Sequence, residues 1–251
     1  MPDTDVAIIG AGRTGRQVAA LAAALGLKVV LFEREGRIAL PRVASQALLD
    51  ASRRAGPPGW DEVRAAVRAA LADAAPEVSA ARFEGMGVEV VQAPARFSGP
   101  DSVAAGGREW RFRRCLIDAG AAPVVPDLPG LDAVPWLTPA AFVEVGGLPG
   151  HLVVLGGEGA GLELAQAVVR LGGRATVVAP FRIAFPEDAD LADGLERVLR
   201  REGVDVLASR AVSGVVGREG QIVVTLVDGT EIEGTHLLLA LGEAPRVGGW
   251  T

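Results

Sequence analysis

A glycine pattern that occurs twice constrains the fold of this chain more than any other feature. Residues Asp5–Glu33 align without a gap with His151–Ala179, and in each segment a short apolar run stops at a glycine, Gly10 or Gly156. Short apolar runs are typical of buried parallel strands. An Ala-rich helical stretch and a second apolar run follow each glycine. The repeat therefore predicts two strand–turn–helix–strand units in series.

The rest of the chain predicts an α/β fold of two Rossmann-like, three-layer modules in series, each with a small antiparallel meander. Proline-rich residues 121–150 read as an irregular crossing, so we expect a first domain over 1–145 and a second over 146–251. The other predicted elements are helices over 60–75 and near 190–201 and groups of short strands over 88–113 and 204–232.

The first glycine turn has the form GxGxxG, between a predicted strand and a predicted helix. Gly10 permits a tight turn, Gly12 allows close approach of a pyrophosphate, and Gly15 allows the helix to pack on the strand. Glu33 ends the second strand, where a carboxylate accepts hydrogen bonds from ribose hydroxyls. This unit predicts a site for the ADP half of a dinucleotide. The alternative is a fold that kept the turn and lost the ligand.

The second turn departs from this pattern. Its glycines are Gly156, Gly159 and Gly161. The repeat places Glu158 at the middle glycine position and Ala179 at the position of Glu33, which argues against tight NAD binding. A shift by one residue, with Gly157 and Gly159 in the first two positions, would restore the turn.

Two arginines near the second turn keep NADPH as a possible ligand of the second domain. Arg174 or Arg182 could meet a 2′-phosphate, or both are surface residues.

Composition excludes several classes of function. The net charge is −6 with charges of both signs mixed along the chain, so a nucleic-acid partner is not expected. No apolar run is long enough to span a bilayer. The single cysteine, Cys115, cannot form an internal disulfide, and it lies on a predicted core strand as a small buried hydrophobe. We expect a cytoplasmic protein without a metal site.

The chain resembles the flavin-dependent pyridine nucleotide–disulfide oxidoreductases, in the branch of mercuric reductase and dihydrolipoamide dehydrogenase. The resemblance runs through DVAIIGAGRTG, LFERE, ASQALLDAS, CLIDAGAAPVVPDLPGL, LPGHLVVLGGEGAGLELAQAVVRLGG and LLLALGEAPR. It implies FAD in the first domain, NAD(P)H in the second, and hydride transfer between them. The implied FAD contacts are Gly10, Gly12, Arg13, Thr14, Gly15, Glu33, Arg34, Ala95, Ala119 and Gly120.

The family's catalytic parts are not found. Its two redox cysteines correspond to Arg37 and Arg42, and a lysine that would partner Glu163 corresponds to Gln46. Arginine forms neither a disulfide nor a thiolate. The threonine of the family's Thr-Gly junction is Ala119 here. The sequence ends soon after Leu241–Pro245, before the part that completes the family's FAD domain and its interface domain.

These observations leave several hypotheses. In the first, the chain is an FAD-dependent NAD(P)H oxidoreductase that does not reduce disulfides, with Arg42 near the flavin, stabilising an anionic reduced form or binding an acidic substrate. The alternative for Arg37 and Arg42 is a solvated surface position. In the second, the chain is an inactive nucleotide-binding or partner-binding descendant, and a protein partner covers the incomplete FAD domain. In the third, it is a fragment without a separate function.

Overall fold

The computed structural model describes residues 2–34, 41–53, 59–185 and 187–247, without the side chains of residues 41 and 42. The helices are α1 (Arg13–Ala24), α2 (Pro41–Ser52), α3 (Trp60–Ala74), α4 (Ala80–Gly85), α5 (Pro139–Phe142), α6 (Gly159–Arg170) and α7 (Ala189–Arg201), with 3-10 turns at Pro76–Val78 and Leu131–Ala133. The strands are β1 (Thr4–Ile9), β2 (Val29–Phe32), β3 (Glu89–Val91), β4 (Arg96–Gly99), β5 (Ser102–Ala105), β6 (Arg108–Ile117), β7 (Ala121–Pro123), β8 (His151–Leu155), β9 (Arg174–Ala179), β10 (Asp205–Ala208), β11 (Val212–Arg218), β12 (Gln221–Leu226), β13 (Glu231–Gly234), β14 (His236–Leu239) and β15 (Glu243–Pro245).

Packing contacts divide the described residues into two compact units. Unit 1 comes from the described residues within Met1–Ala39, Ala72–Ala122 and Ala244–Thr251, and unit 2 from those within Leu40–Leu71 and Pro123–Glu243. The domain boundary predicted between residues 145 and 146 is based on the sequence repeat, whereas these units are based on packing contacts. That boundary stays a prediction. In the structure α2 and most of α3 belong to unit 2. The helix α2 packs on α6 and contributes Leu48 to the core of that unit.

Unit 1 contains a six-stranded sheet in the order β3-β2-β1-β6-β5-β4. The strands β3, β2, β1 and β6 are parallel neighbours, whereas β4, β5 and β6 form an antiparallel meander. The first meander is therefore confirmed. Because parallel strands share a direction, the residues that follow β1, β2 and β6 all lie at one edge of the sheet.

Side chains alternate between the two faces of the unit 1 sheet, as the two-residue period of a strand requires. Ile8 and Leu31 pack with Ala19 of α1 and Phe83 of α4 on one face. On the other face, Phe32 meets Trp110 of β6 edge to face, with ring centroids 5.2 Å apart. A helix layer, a parallel layer and a meander layer result, as the repeat predicts.

Unit 2 repeats this architecture. A four-stranded parallel sheet has the order β10-β9-β8-β14, and β11-β12-β13 form an antiparallel sheet. Val154 and Val177 pack toward the helices in one apolar cluster. Val153 and Leu239 pack with Val224 of the meander in another. The two-module α/β fold predicted from the sequence is confirmed.

Candidate nucleotide-binding site

Gly10 directly follows β1 and turns the chain at a position where only glycine fits. Its φ is +103°, and its N–H donates to the carbonyl of Phe32 at 2.8 Å. A Cβ added to Gly10 would overlap the carbonyl oxygen of Asp118, and one added to Gly15 would overlap the carbonyl oxygen of Gly10. The first and third glycines are therefore required by backbone contacts within the protein.

The second glycine, Gly12, is the N-cap of α1, with extended backbone angles of −63° and −176° and no side-chain cap. Arg13 and Thr14, the first residues of α1, are exposed. The first N–H groups of a helix have no partner within the helix, and they carry a partial positive charge. This end of α1 is suited to an anion such as a pyrophosphate.

Glu33 follows β2 and lies at the same sheet edge as the turn. Phe32 pairs with Ile9 in the parallel register, so the next residue on β2 lies beside the turn that follows β1. An Oε2 of Glu33 accepts a hydrogen bond from the N–H of Ala11 at 3.2 Å. Glu33 therefore lies beside the glycine turn, and its contact with a ribose stays a prediction.

Asp118 brings a second carboxylate into this turn, a role that was not predicted from the sequence. The residue follows β6, and its N–H donates to the carbonyl of Ile9 at 2.7 Å. Its Oδ2 accepts a hydrogen bond from the N–H of Gly15 at 2.7 Å. The available signal was its position directly after a strand that neighbours β1.

Arg16, on the first turn of α1, is a third charged group at this place. Burial lowers the pKa of its guanidinium, and the nearby carboxylates of Asp118 and Glu33 act in the opposite direction. Its Nη1 is buried, with no hydrogen-bond partner within the described part of the chain. Arg16 therefore lies near both carboxylates of the turn.

The other residues expected to contact FAD lie in different settings. Ala95 is buried in the core beneath the meander, with 9% exposure. Arg34 is exposed. Ala119 and Gly120 follow Asp118, and the Gly120 carbonyl accepts from the N–H of Arg246 at 3.1 Å. None of these FAD contacts is tested by the structure, and they stay predictions.

The arginines at the family's cysteine positions lie outside the reach of the structure. Arg37 and the side chain of Arg42 are outside the described residues. A role for Arg42 beside a flavin therefore stays a prediction.

The second turn copies the backbone of the first. Gly156 has a φ of +119°, and a Cβ there would overlap the carbonyl oxygen of Ala240. A Cβ on Gly161 would come 2.7 Å from the Cβ of Ala240. Ala240 thus stands where Asp118 stands in the first turn. This match confirms the register of the repeat, and the alternative with Gly157 in the first position is wrong.

Glu158 takes the place of the middle glycine. It is the exposed N-cap of α6, with the extended backbone that Gly12 has in the first turn. Its Oε2 lies 3.2 Å from the position of a Cβ on Gly242. Ala179, which replaces the ribose acid, is 2% exposed. Gly159 opens α6, and a Cβ there would meet nothing within 4 Å.

The arginines proposed for a 2′-phosphate differ in position. Arg174 begins β9 and pairs with His151, so it lies at the sheet edge opposite the glycine turn. Its proposed contact with a 2′-phosphate is therefore wrong. Arg182 follows β9 at the edge of the turn, and its guanidinium lies 5.8 Å from the ring centre of Phe185 and donates to the Glu187 carbonyl.

The remaining candidate reactive groups are one thiol and two imidazoles, each partly buried. Cys115 is half-buried on β6, and burial raises the pKa of its thiol to about 11. His151 and His236 begin β8 and β14, at the amino edge of the sheet, and burial is the main cause that lowers the pKa of each imidazole.

Within the described ranges, no three His, Cys, Asp or Glu residues gather as a metal site would require. Of the helices described, none is both long and apolar enough to cross a membrane.

The first turn meets the requirements of the ADP half of FAD in part. The glycine backbone and Glu33 fit the group in shape. The carboxylate of Asp118 adds a negative charge beside the place for the pyrophosphate, so the fit in charge is poor.

Sequence comparison identifies relatives along nearly the whole chain. The sequence profile of a family described as "Pyridine nucleotide-disulphide oxidoreductase" matches residues 4–249. A mercuric reductase of Acidithiobacillus ferrooxidans is 33% identical over 180 residues, which are 68% of this chain and 33% of that protein. An NAD(P)H dehydrogenase (quinone) of Mycobacterium tuberculosis is 33% identical over 135 residues, 53% of this chain and 27% of that protein. The matches span about a third of these curated relatives.

Solved structures give the same fold. LpdA from Mycobacterium tuberculosis superposes with a TM-score of 0.84 at 26% identity, over 98% of this chain and 60% of LpdA. The flavoprotein disulfide reductase RclA from Escherichia coli superposes with a TM-score of 0.86 at 24% identity, over 97% of this chain and 57% of RclA, which supports the fold alone. With the profile match over most of its length, the chain belongs to the pyridine nucleotide-disulphide oxidoreductase family.

Proposed function

We propose that this chain is an FAD-binding oxidoreductase-type protein that does not carry out disulfide reduction. The observation that carries the proposal is the first turn, in which the carboxylate of Glu33 lies beside the glycine backbone and accepts from the N–H of Ala11. This arrangement joins an anion site at the start of α1 to an acceptor for ribose hydroxyls. Bound FAD would supply two-electron redox chemistry, and the protein's part is to hold its ADP half.

Disulfide chemistry is excluded from the proposal because of the cysteine content. Cys115 is the single cysteine of the sequence. Burial raises its thiol pKa to about 11, so little thiolate exists at neutral pH. Two cysteines close enough to form a disulfide are needed for the redox exchange of a disulfide reductase.

The visible spectrum of the purified chain tests the proposal. The expected result is a yellow protein, or a colourless protein that quenches the fluorescence of added FAD in a saturable way. Anaerobic addition of NADPH or NADH then shows whether the bound flavin is reduced. A colourless protein that takes up no FAD contradicts the proposal.

A second function, that of an inactive nucleotide-binding or partner-binding descendant, is favoured by the second turn. Glu158 puts a carboxylate at the start of α6, and Ala179 leaves no ribose acceptor. Both features disfavour NAD(P)H, which would reduce the flavin. In this second proposal, a protein partner binds the chain and covers the incomplete FAD domain. Stable co-elution with a defined partner chain, together with no flavin reduction by either nicotinamide nucleotide, would favour it over the first.

A further inference from the structure

The carboxylate of Asp118 lies inside the first glycine turn. Its backbone is fixed at the end of β1 by the hydrogen bond to the Ile9 carbonyl. Its Oδ2 accepts from the N–H of Gly15 at 2.7 Å. Gly15 lies in the first turn of α1, where N–H groups lack partners within the helix. Asp118 therefore caps this helix from outside it.

Gly12 shows which space the carboxylate takes. A Cβ added to Gly12 would overlap the Oδ2 of Asp118, and one added to Gly15 would come 3.1 Å from the same atom. In dinucleotide-binding turns, the absence of a side chain at the second glycine lets a pyrophosphate approach the backbone. In this chain, the space that a side chain on Gly12 would occupy is taken by the carboxylate of Asp118.

The local charge balance does not cancel this effect. Arg16 lies near both Asp118 and Glu33. This guanidinium is shared between two carboxylates and cannot neutralise both, and Arg13 and Arg34 beside the turn are exposed to solvent. A pyrophosphate would add like charge to a partly buried place, where repulsion is weakly screened.

We propose that Asp118 is an affinity-setting residue that competes with the pyrophosphate of FAD for the start of α1. It takes the N–H of Gly15 and places a negative charge beside Gly12, so the chain binds FAD more weakly than its turn would otherwise allow. This inference rests on the proposed function, since it concerns the same site.

The second module shows that the fold accepts a neutral residue at this position. Ala240 occupies the corresponding place, against Gly156 and Gly161. Asp118→Ala therefore gives the first module the residue that the second module has at the corresponding position. Asp118→Asn is the closer test, because its amide oxygen can still accept from Gly15 while the charge is removed.

The experiment compares the wild-type chain with Asp118→Asn and Asp118→Ala by calorimetric titration with FAD, ADP and adenosine. We expect both variants to bind FAD and ADP at least about tenfold more tightly, as removal of a like charge at close range implies. Adenosine lacks phosphate, so its affinity should stay within about twofold. The gain should shrink at high salt, because ions screen the repulsion.

A matched control is Asp5→Asn. The Oδ2 of Asp5 also accepts a backbone N–H across neighbouring strands, from Lys28 at 3.0 Å, but Asp5 lies at the other end of β1. This variant should leave all three affinities unchanged. Circular dichroism and thermal unfolding of each variant verify that the fold is kept.

The outcomes separate the inference from the proposed function. If the wild type binds FAD as tightly as Asp118→Asn, the inference is overturned and FAD binding stands. Weaker binding by both variants also overturns it, because Asp118 would then support the ligand. If neither the wild type nor the variants bind FAD or ADP, both proposals are wrong.

Discussion

Glu33 holds the backbone of the glycine turn through the N–H of Ala11, 22 positions earlier in the chain, at 3.2 Å from Oε2. The same carboxylate is the proposed acceptor for ribose hydroxyls. One residue thus joins the geometry of the turn to the proposed ligand. A change at Glu33 therefore separates the two roles when the replacement keeps an acceptor for Ala11.

Glu33→Gln is such a change. Its amide oxygen can accept from Ala11, so we expect the thermal midpoint to stay close to that of the wild type. Hydrogen bonds to a charged acceptor are stronger than those to a neutral one, so FAD affinity should fall about tenfold. Flavin fluorescence titration measures the affinity. Glu84→Gln, at an exposed position on α4, is the control and should bind as the wild type does.

Gly10→Ala tests the backbone contact that shapes the turn. The added Cβ would overlap the carbonyl oxygen of Asp118, and φ is +103°. We expect the free energy of unfolding to fall by about 2–4 kcal/mol. Gly26→Ala isolates the cost of positive φ, because φ is +77° there and a Cβ would meet nothing within 4 Å. Gly26→Ala should lower the free energy of unfolding by about 1 kcal/mol, and urea unfolding measures both variants. Equal costs would contradict the contact.

The short apolar runs that stop at a glycine, together with their repeat, predicted the fold correctly. Ile8 and Ile9 point to opposite layers in unit 1, as a strand buried on both faces requires. The register of the repeat was also readable, since Gly10 and Gly156 both demand glycine for the same backbone reason. The apolar runs and the glycine spacing are local patterns, so they are visible in the sequence itself.

The groups that were missed depend on distant contacts. Asp118 reaches Gly15 across 103 positions, and no local pattern reveals that hydrogen bond. The error about Arg174 has a similar origin, because a residue near a turn in sequence lies at the opposite end of β9 in space. Strand direction and strand order decide both cases, and they become visible only once the sheet is assembled.

Cys115 should react slowly with thiol reagents in the folded chain. Burial raises the pKa of its thiol to about 11, and the thiolate is the reactive form. With Ellman's reagent at pH 8, we expect labelling at least about 100-fold slower than in urea-unfolded protein. The unfolded protein is the reference for full reactivity. Rapid labelling of the folded chain would show that the thiol is accessible and ionised.

The two histidines should make stability depend on pH in a mildly acidic window. Burial is the first cause that lowers the pKa of His151 and of His236 below 6.5 in the folded state. The neutral forms are therefore favoured by folding, and this stabilisation is complete above pH 6.5 and lost as the pH falls through the folded-state values. We expect the thermal midpoint to fall by about 2–5 °C from pH 7.5 to pH 5.5.

The histidine double variant His151→Gln, His236→Gln is the check on that window, and it should lose most of the slope. Glu202 changes stability only at a lower pH than this window, because a hydrogen bond from Arg170 lowers the pKa of its carboxyl below 4.5. A slope between pH 7.5 and pH 5.5 that survives the double change would assign the effect to other groups.

Glu158→Gly tests whether the second turn is limited by its own carboxylate. Glu158 is the N-cap of α6 at the position that glycine holds in the first turn, and glycine is an accepted N-cap. Removal of the charge and the side chain should allow a pyrophosphate to approach, so we expect NADH and NADPH to bind at least about tenfold more tightly. Ala160→Gly, the next exposed non-glycine residue of the turn, is the control for added flexibility alone. A gain of the same size in both variants would assign the effect to flexibility, and no gain in either would show that the missing acid at Ala179 limits this site instead.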